Sequence, residues 1–194
     1  AFTVHTGEHE NDYFSAVDDL LQEDEEGSLG SGHINSTELT SGLYYGYVVV
    51  DVPLLVANLE GCSRKGWTSA DTTLAAEVIE RMVHLVATVS PGAKLGSTAP
   101  YAYAHMVMVE AGDAQPRTFA NAFLAPVHPK PDLMANTYQA LAGFVSQIDS
   151  VYGAADRRWV GLGQGQALDE VGVARAESLA GLASWAAEAI RGER

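Results

Sequence analysis

The chain has 194 residues, 47% of them hydrophobic, which is enough for one domain with a substantial core. Its 11 Lys and Arg against 25 Asp and Glu give a formal net charge of −14, which argues against nucleic-acid binding over a broad basic surface. The single cysteine, Cys62, excludes an internal disulfide and a multi-cysteine zinc site and fits a reducing cytoplasm, and no apolar run is long enough to predict a membrane span.

The first 52 residues divide into strand, polar stretch and strand. Residues 1–4 suit a strand end, and with neither a starting Met nor a signal peptide before them we expect a fragment or a trimmed chain. Residues 5–41 are mostly polar, with an acidic run at 23–26 and a Gly/Ser-rich run at 27–32. Residues 43–52, rich in Tyr and Val on both faces, give the strongest strand prediction. The polar stretch is therefore predicted to be a long excursion between two strands, and such long loops are usually functional or disordered.

The rest of the chain mixes helices and strands. Pro53 and Gly61 bracket a short helix, and an apolar repeat from Leu74 to Val89 predicts a helix that ends before Pro91. Further predictions are a strand at 104–109, a short helix or turn at 119–124, a stiff proline loop at 126–131, a helix at 133–151, an irregular stretch with four glycines at 154–173 and a final helix at 174–191. This order predicts an α+β fold with helices on one face of a mainly antiparallel sheet, of which ferredoxin-like folds are one example.

Two polar clusters allow a chemical interpretation, and each has a plainer one. His5 and His9 have the spacing that would share a metal on a helix, but their segment has no apolar face and is predicted to be a solvated loop. Ser31 lies close to His33, as in a hydrolase site, but without a third group they are better explained as a polar loop tip. We therefore predict no catalytic site, no metal and no cofactor.

Other residues suit nucleic-acid contacts. Three prolines stiffen the loop at 126–131 and would fix His128 and Lys130, where a placed cation suits a phosphate, although a rigid surface loop is the plainer explanation. Lys94, just beyond a predicted helix, would contact a phosphate or face the negative end of the helix dipole. Tyr13 and Phe14, at the edge of the polar excursion, would stack on bases of single-stranded RNA or pack at its base.

Five stretches of the chain, in the correct order and spacing, resemble a known family. They are 13–20 (YFSAVDDL), 30–33 (GSGH) with 38–42 (ELTSG), 86–94 (VATVSPGAK), 105–109 (HMVMV) and 119–123 (FANAF). The family is the CasC family, the repeated backbone subunit of the type I-E CRISPR surveillance complex Cascade, and the chain resembles its second half. The resemblance fades after Tyr152.

The resemblance implies a partial RRM-like, ferredoxin-like palm that carries a long β-hairpin thumb. Residues 1–4 would be a palm strand, 5–41 the thumb hairpin insertion and 42–194 the C-terminal part of the palm with its helices, and the first palm strand and the fingers would lie upstream. The subunit would be non-catalytic and cytoplasmic. Several copies would polymerise along a CRISPR guide RNA beside other Cascade subunits, and each thumb would flip out one base and leave short runs to pair with target DNA.

The resemblance also assigns RNA contacts on the hairpin. Tyr13, Phe14 and Ser15 fall on thumb positions that contact the kinked strand. His33 and Ile34 fall near the thumb tip, where an apolar side chain wedges at the kink.

A second set of contacts falls on the proline loop, which corresponds to a Lys-rich loop that holds guide phosphates. Here Ala125 and His128 stand where the family has lysines, which leaves Lys130. With Lys94 these residues complete the predicted RNA-binding set. Because other basic contacts would lie upstream of Ala1, we expect this part of the chain alone to bind RNA weakly.

Two other functions remain open. The chain would be an enzyme if Asp18 or Asp19 held a metal and cut target RNA, as in type III relatives, and Asp18→Ala or Asp19→Ala would then abolish magnesium-dependent cleavage. It would be a protein-interaction domain if the intact protein carried no RNA. We favour the structural RNA-binding subunit, because nothing in the sequence assembles a metal site.

Overall fold

The computed structural model describes residues 2–16, 33–90, 101–163 and 165–192. Its strands are β1 (Phe2–Thr3), β2 (Glu8–Ala16), β3 (His33–Ser41), β4 (Tyr44–Tyr45), β5 (Met106–Ala111), β6 (Asp156–Gly161) and β7 (Ala174–Arg175). Its α-helices are α1 (Val52–Glu60), α2 (Thr73–Thr88), α3 (Leu133–Tyr152), α4 (Gln166–Glu170) and α5 (Leu179–Arg191), and two 3-10 helices span Arg64–Ser69 and Ala120–Phe123. The predicted α+β class is confirmed. Within these ranges no helix is both long enough and apolar enough to cross a membrane.

A long hairpin occupies part of the polar excursion. β2 and β3 pair antiparallel over nine residues each, from Glu8 opposite Ser41 to Ala16 opposite His33. At the foot of this hairpin the two-residue strands β1 and β4 also pair antiparallel. The chain therefore leaves and rejoins the rest of the domain at adjoining points.

A three-stranded sheet forms the centre of the domain, in the order β5-β6-β7. β5 and β6 are antiparallel, whereas β6 and β7 are parallel. On one face, Met108 packs against a core that contains Trp159 and Leu141 of α3. On the other face, Val109 packs against a second core that contains Trp185 of α5 and several residues of α2. The prediction of helices on one face only was wrong, because apolar side chains of β5 alternate between two cores.

The predicted helix boundaries are largely confirmed by their capping residues. The Asp51 carboxylate accepts a hydrogen bond from the backbone N–H of Leu54 at 3.0 Å, and Gly61 ends α1 with a φ of 65°. The Asp132 carboxylate accepts from the backbone N–H groups of Met134 and Ala135 at 2.8 and 3.0 Å, which begins α3 directly after the proline loop.

Three predictions of secondary structure were wrong. The strand expected at 43–52 is reduced to Tyr44–Tyr45, and residues 46–51 form neither strand nor helix. The stretch at 154–173, predicted to be irregular, contains β6 and α4. The final helix begins at Leu179 rather than at 174. The hydroxyl of Ser178 caps this helix by accepting a hydrogen bond from the N–H of Gly181 at 3.0 Å.

The helix predicted from the apolar repeat at 74–89 is present as α2, but another face of it is buried. Its buried residues are Ala75, Ala76, Ile79, Val83 and Ala87. Leu74, Leu85 and Val89 of the repeat are 48, 55 and 62% exposed. The face of α2 that carries these five residues thus packs toward α5, and Leu74, Leu85 and Val89 face outward.

Candidate nucleic-acid interface

The proline loop is bound to the foot of the hairpin by backbone hydrogen bonds. The N–H of Val4 donates to the carbonyl oxygen of Leu43 at 2.9 Å, and the N–H of Val127 donates to the carbonyl oxygen of Val4 at 2.8 Å. Val4 is 3% exposed, so these bonds lie in the interior. The two regions to which sequence analysis assigned RNA contacts are therefore joined at this point.

A cleft of about 340 Å³ opens at this junction. The foot of the hairpin contributes one wall, and the proline loop and the start of α3 contribute the other. The lining residues are His5, Thr6, Ser41, Gly42, Leu43, Pro129 and Leu133. The cleft has no charged lining residue, so any strong attraction for phosphate has to come from its rim.

The ring of His5 forms two hydrogen bonds at the foot of the hairpin, so both of its nitrogens already have a partner. Its Nε2 accepts a hydrogen bond of 3.0 Å from the backbone N–H of Leu43. Nδ1 therefore carries the proton of the neutral ring and donates to the carbonyl oxygen of Thr6 at 2.8 Å. Among the described residues, no group of three or more His, Cys, Asp or Glu side chains is placed to hold a metal ion.

The proline loop is held in one shape by hydrogen bonds within it. Nδ1 of His128 lies 3.1 Å from the backbone nitrogen of Lys130 and 3.0 Å from the carbonyl oxygen of the same residue, so either tautomer of the ring has a partner in the backbone of Lys130. The side-chain amide of Asn136, one turn into α3, donates to the carbonyl oxygens of His128 and Lys130 at 2.8 and 3.0 Å. Sequence analysis missed Asn136, whose only signal is an amide side chain one turn after a helix cap.

Lys130 is an exposed cation on this rigid loop. No carboxylate forms an ion pair with its ammonium group among the residues that the structure describes. His128 is exposed beside it. The loop thus presents a cation and an exposed imidazole ring at the rim of the cleft, and a placed cation is what a phosphate contact requires.

The hairpin carries the other predicted contacts. Tyr13 lies on β2 and its side chain is 67% exposed. Next to it on β2 are Phe14 and Ser15, and Ser15 is the strand partner of Ile34 on β3. His33 is the first residue of β3. These five positions therefore cluster at the end of the hairpin away from the proline loop, whereas Lys94, Asp18 and Asp19 lie outside the described residues.

A buried ion network contains two of the arginines, Arg117 and Arg157. Arg157, 4% exposed, donates to Glu110 on β5 and to both carboxylate oxygens of Asp149 on α3, and Arg117 donates to Glu110 at 2.9 Å. The hydrogen bond from Arg157 lowers the pKa of Asp149. Burial alone would lower the pKa of Arg157, but its hydrogen bonds with Asp149 and Glu110 outweigh that effect and raise it. These cations are neutralised inside the protein and are not available to RNA.

The described residues form an α+β domain with a hairpin and, at its foot, the loop that carries Lys130, and solved structures share the fold of the domain. The chain matches a chain of a "CRISPR RNA-guided surveillance complex" with a TM-score of 0.75 and 24% identity, over 97% of this chain and 68% of that one. It matches a chain of a "CRISPR RNA-guided surveillance complex, pre-nicking" with a TM-score of 0.74 and 24% identity, over 97% of this chain and 53% of that one. At this identity the similarity establishes the fold.

The family is shown by a separate comparison. The sequence profile of the CT1975-like protein family matches residues 1–185, and the chain belongs to this family. The resemblance to a CRISPR backbone family is thereby confirmed at the family level. A search of the curated proteins found none with significant similarity to this chain.

Proposed function

We propose that this protein is a structural, RNA-binding subunit of a CRISPR RNA-guided surveillance complex, and that its hairpin and proline loop hold the guide RNA. The observation that carries the proposal is the junction at Val4, which joins the hairpin to the loop that presents Lys130. This junction occurs in a chain of the CT1975-like family whose fold is shared by chains of such complexes. Family and geometry thus support the same function.

Each half of the interface has its own role in the proposal. Lys130 and the exposed ring of His128 contact backbone phosphates at the foot of the hairpin. Tyr13, exposed on β2, stacks on an unstacked base farther along the hairpin. Phe14, Ser15, His33 and Ile34 share that part of the hairpin. In this arrangement the RNA strand runs along the hairpin from the proline loop toward Tyr13.

The finer features of the proposal follow the type I-E resemblance. The hairpin acts as a thumb on an RRM-like palm and kinks the guide RNA. Several copies of the subunit line up along one guide RNA in the cytoplasm, beside other Cascade subunits. The exposed bases of the guide then pair with target DNA. The formal charge of −14 makes general attraction of RNA unfavourable. Binding by the chain alone is therefore weak, and local contacts determine where the RNA lies.

In this proposal the subunit performs no chemistry. The competing hypothesis is metal-dependent cleavage of target RNA through Asp18 or Asp19. Incubating the assembled complex with complementary RNA and magnesium distinguishes the two. Intact RNA supports the structural role, whereas cleavage that disappears in Asp18→Ala or Asp19→Ala establishes the enzyme.

The direct test measures the RNA that the intact subunit retains. The subunit is co-expressed with its partners and a CRISPR array, purified at moderate salt, and its RNA is sized and quantified. We expect one RNA species of guide length, and less of it in Lys130→Glu. Lys65→Glu is the matched control, because Lys65 is also an exposed lysine but lies on the 3-10 helix Arg64–Ser69. An RNA-free wild-type complex would contradict the proposal, as would equal losses in the two variants.

A further inference from the structure

The cleft at the foot of the hairpin suits a neutral group rather than a phosphate. None of its lining residues carries a formal charge, and His5 is neutral there because its Nε2 accepts a hydrogen bond from the N–H of Leu43. Asp132, directly before the lining residue Leu133, carries a carboxylate that caps α3. This negative charge disfavours an anion inside the cleft.

Apolar surface faces the cleft from both walls. Leu43 lines it on the hairpin side, and Pro129 and Leu133 line it on the other side. The ring of His5 also lines it, and because both ring nitrogens are hydrogen-bonded, the ring offers packing surface rather than a polar atom. Surface of this kind packs against the flat face of an unpaired base.

Two hydroxyl groups give the cleft a polar side. Thr6 and Ser41 both line it, both are exposed, and neither hydroxyl hydrogen-bonds to another of the described residues. A hydroxyl group can donate or accept a hydrogen bond, so these two can meet the polar edge of any of the four bases. The cleft therefore does not discriminate between bases, as a site for RNA of variable sequence has to be.

The walls of the cleft are held by hydrogen bonds that need no ligand. The N–H of Val127 donates to the carbonyl oxygen of Val4, and the N–H of Val4 donates to the carbonyl oxygen of Leu43, so the two walls are joined. The amide of Asn136 holds the carbonyl oxygens on either side of Pro129. A base would thus enter a preformed site, which lowers the entropic cost of binding.

The cleft and the cation at its rim match one nucleotide. The volume of about 340 Å³ lies at the lower end of the usual range for ligand sites, so a single base fits and a run of stacked bases does not. Lys130 follows Pro129 directly, so a nucleotide whose base enters the cleft has its phosphate close to the ammonium group. An apolar side chain from another protein would instead leave Lys130 and both hydroxyls without a partner.

We propose that the cleft binds one unpaired base of the guide RNA. This inference rests on the proposed function, since it takes RNA to be the bound polymer. The base packs between Leu43 on one wall and Pro129 and Leu133 on the other. Its polar edge meets the hydroxyls of Thr6 and Ser41, and the phosphate of the same nucleotide contacts the rim of the cleft.

Chemical probing of the RNA in the assembled complex tests the proposal. The complex is prepared with an adenine-rich spacer and treated with dimethyl sulfate, which methylates N1 of an adenine whose polar edge is free. We expect one adenine per copy of the subunit to react at least about five-fold less than its neighbours, the smallest effect that one stacked base gives. A uracil-rich spacer, probed at N3 with a carbodiimide, should show the same pattern, because the hydroxyls accept either base.

Two substitutions fill the cleft from exposed positions on its hairpin wall. They are Thr6→Tyr and Ser41→Phe, and in both we expect the protected base to become as reactive as its neighbours. Thr68→Tyr is the matched control, because Thr68 is also an exposed threonine but lies on the 3-10 helix Arg64–Ser69, outside the cleft. We expect it to leave the protection unchanged.

The possible results separate this inference from the proposed function. A complex without RNA would overturn both. RNA of guide length whose bases all react equally in the wild-type complex would overturn only the cleft as a base site. Protection that survives Thr6→Tyr and Ser41→Phe, or that is lost in Thr68→Tyr as well, would show that the protected base lies elsewhere.

Photochemical crosslinking of the wild-type complex serves if the filled variants do not assemble. The guide is prepared with 4-thiouridine, which near-ultraviolet light crosslinks to the protein groups that it touches. We expect crosslinked peptides that contain residues 5–6, 41–43 or 129–133. Crosslinks confined to Tyr13, to other parts of the chain or to other subunits would contradict the proposal.

Discussion

Arg157 on β6 donates hydrogen bonds to both carboxylate oxygens of Asp149, three residues before the end of α3. The same guanidinium donates to Glu110 on β5 and lies 5.5 Å from the centre of the Phe119 ring. One buried side chain therefore connects two strands, a helix and the loop that leads to the proline segment.

Removing Arg157 should be among the most damaging single changes in this chain. In Arg157→Met the carboxylates of Asp149 and Glu110 lose their buried partner, and breaking a buried pair typically costs about 3–5 kcal/mol. Arg64→Met is the control, because Arg64 and Asp51 form an ion pair whose side chains are 65 and 39% exposed, worth roughly 0–1 kcal/mol. Urea unfolding measures both. Similar losses in the two variants would contradict the structural role of the network.

The same network predicts a loss of stability in acid. Since the folded-state pKa of Asp149 lies below its ordinary value of 3.8, its contribution is complete above that value and is lost as pH falls through the folded-state pKa. We expect Asp149→Asn to be less stable than wild type at pH 6 and the difference to shrink steadily below about pH 4. Thermal unfolding between pH 6 and pH 2.5 measures this, and a constant difference would show that Asp149 is not the group that titrates.

Gly165 and Gly143 should respond to the same substitution with opposite signs. A Cβ at Gly165 would collide with the indole ring of Trp159, whose Nε1–H donates to Asp169 at 3.0 Å. Overpacking of this kind costs about 1–3 kcal/mol, so Gly165→Ala should lower the melting temperature and shift the tryptophan emission. Gly143 is exposed on α3 with open space around it, and Gly143→Ala should stabilise by about 0.5–1 kcal/mol.

Asn136 should affect RNA retention through the shape of the proline loop. Asn136→Ala removes the two hydrogen bonds that hold the carbonyl oxygens of His128 and Lys130. We expect RNA to leave the assembled complex at lower salt, with a loss of folding stability of only about 1 kcal/mol. Gln139→Ala removes an exposed amide from the same helix and should change neither quantity. An unchanged salt midpoint in Asn136→Ala would argue against phosphate contact by the loop.

Tyr13 should contribute to RNA binding but not to folding. Its side chain is 67% exposed, so Tyr13→Ala should leave the melting temperature within about 1 °C of wild type. The loss of one stacked base would weaken RNA binding by about 1–3 kcal/mol. Tyr103→Ala, at a tyrosine that is 73% exposed between β5 and the end of α2, serves as the comparison. Equal effects of the two variants on RNA retention would remove Tyr13 from the interface.

Local signals predicted the helices well and the strands poorly. Pro53 and Gly61 predicted α1, because their backbone preferences act whatever surrounds them. The segment at 43–52 has the composition of a central strand, but a β-strand also needs a partner strand to hydrogen-bond with. In the described part of the chain only the two residues of β4 have such a partner, which is β1. β6 was missed because Arg157 and Arg158 hide its apolar pattern, and the partners that permit an arginine to be buried lie 8 and 47 residues away.

The candidate site was partly predictable for the same reason. Proline content alone predicted that residues 126–131 would be rigid, and the resemblance supplied Lys130 and Tyr13. The contact between this loop and the hairpin depends on a bond from Val127 to Val4, more than 120 residues apart, for which the sequence carries no local signal. Asn136 was missed because an amide one turn into a helix has no preferred partner until the loop before it has folded.

The hairpin is long but is attached to the domain through a short ladder, so a small rotation at its foot produces a large displacement at its far end. β2 and β3 extend about 30 Å, nine residues at about 3.3 Å each, whereas the ladder at their foot is only two residues wide. A rotation of about 10° at that foot displaces the far end of the strands by about 5 Å, roughly the spacing between neighbouring strands. The backbone hydrogen bonds at Val4 and the hydrogen bond from Leu43 to the ring of His5 therefore fix the orientation of the hairpin. The position of its far end depends on these few hydrogen bonds.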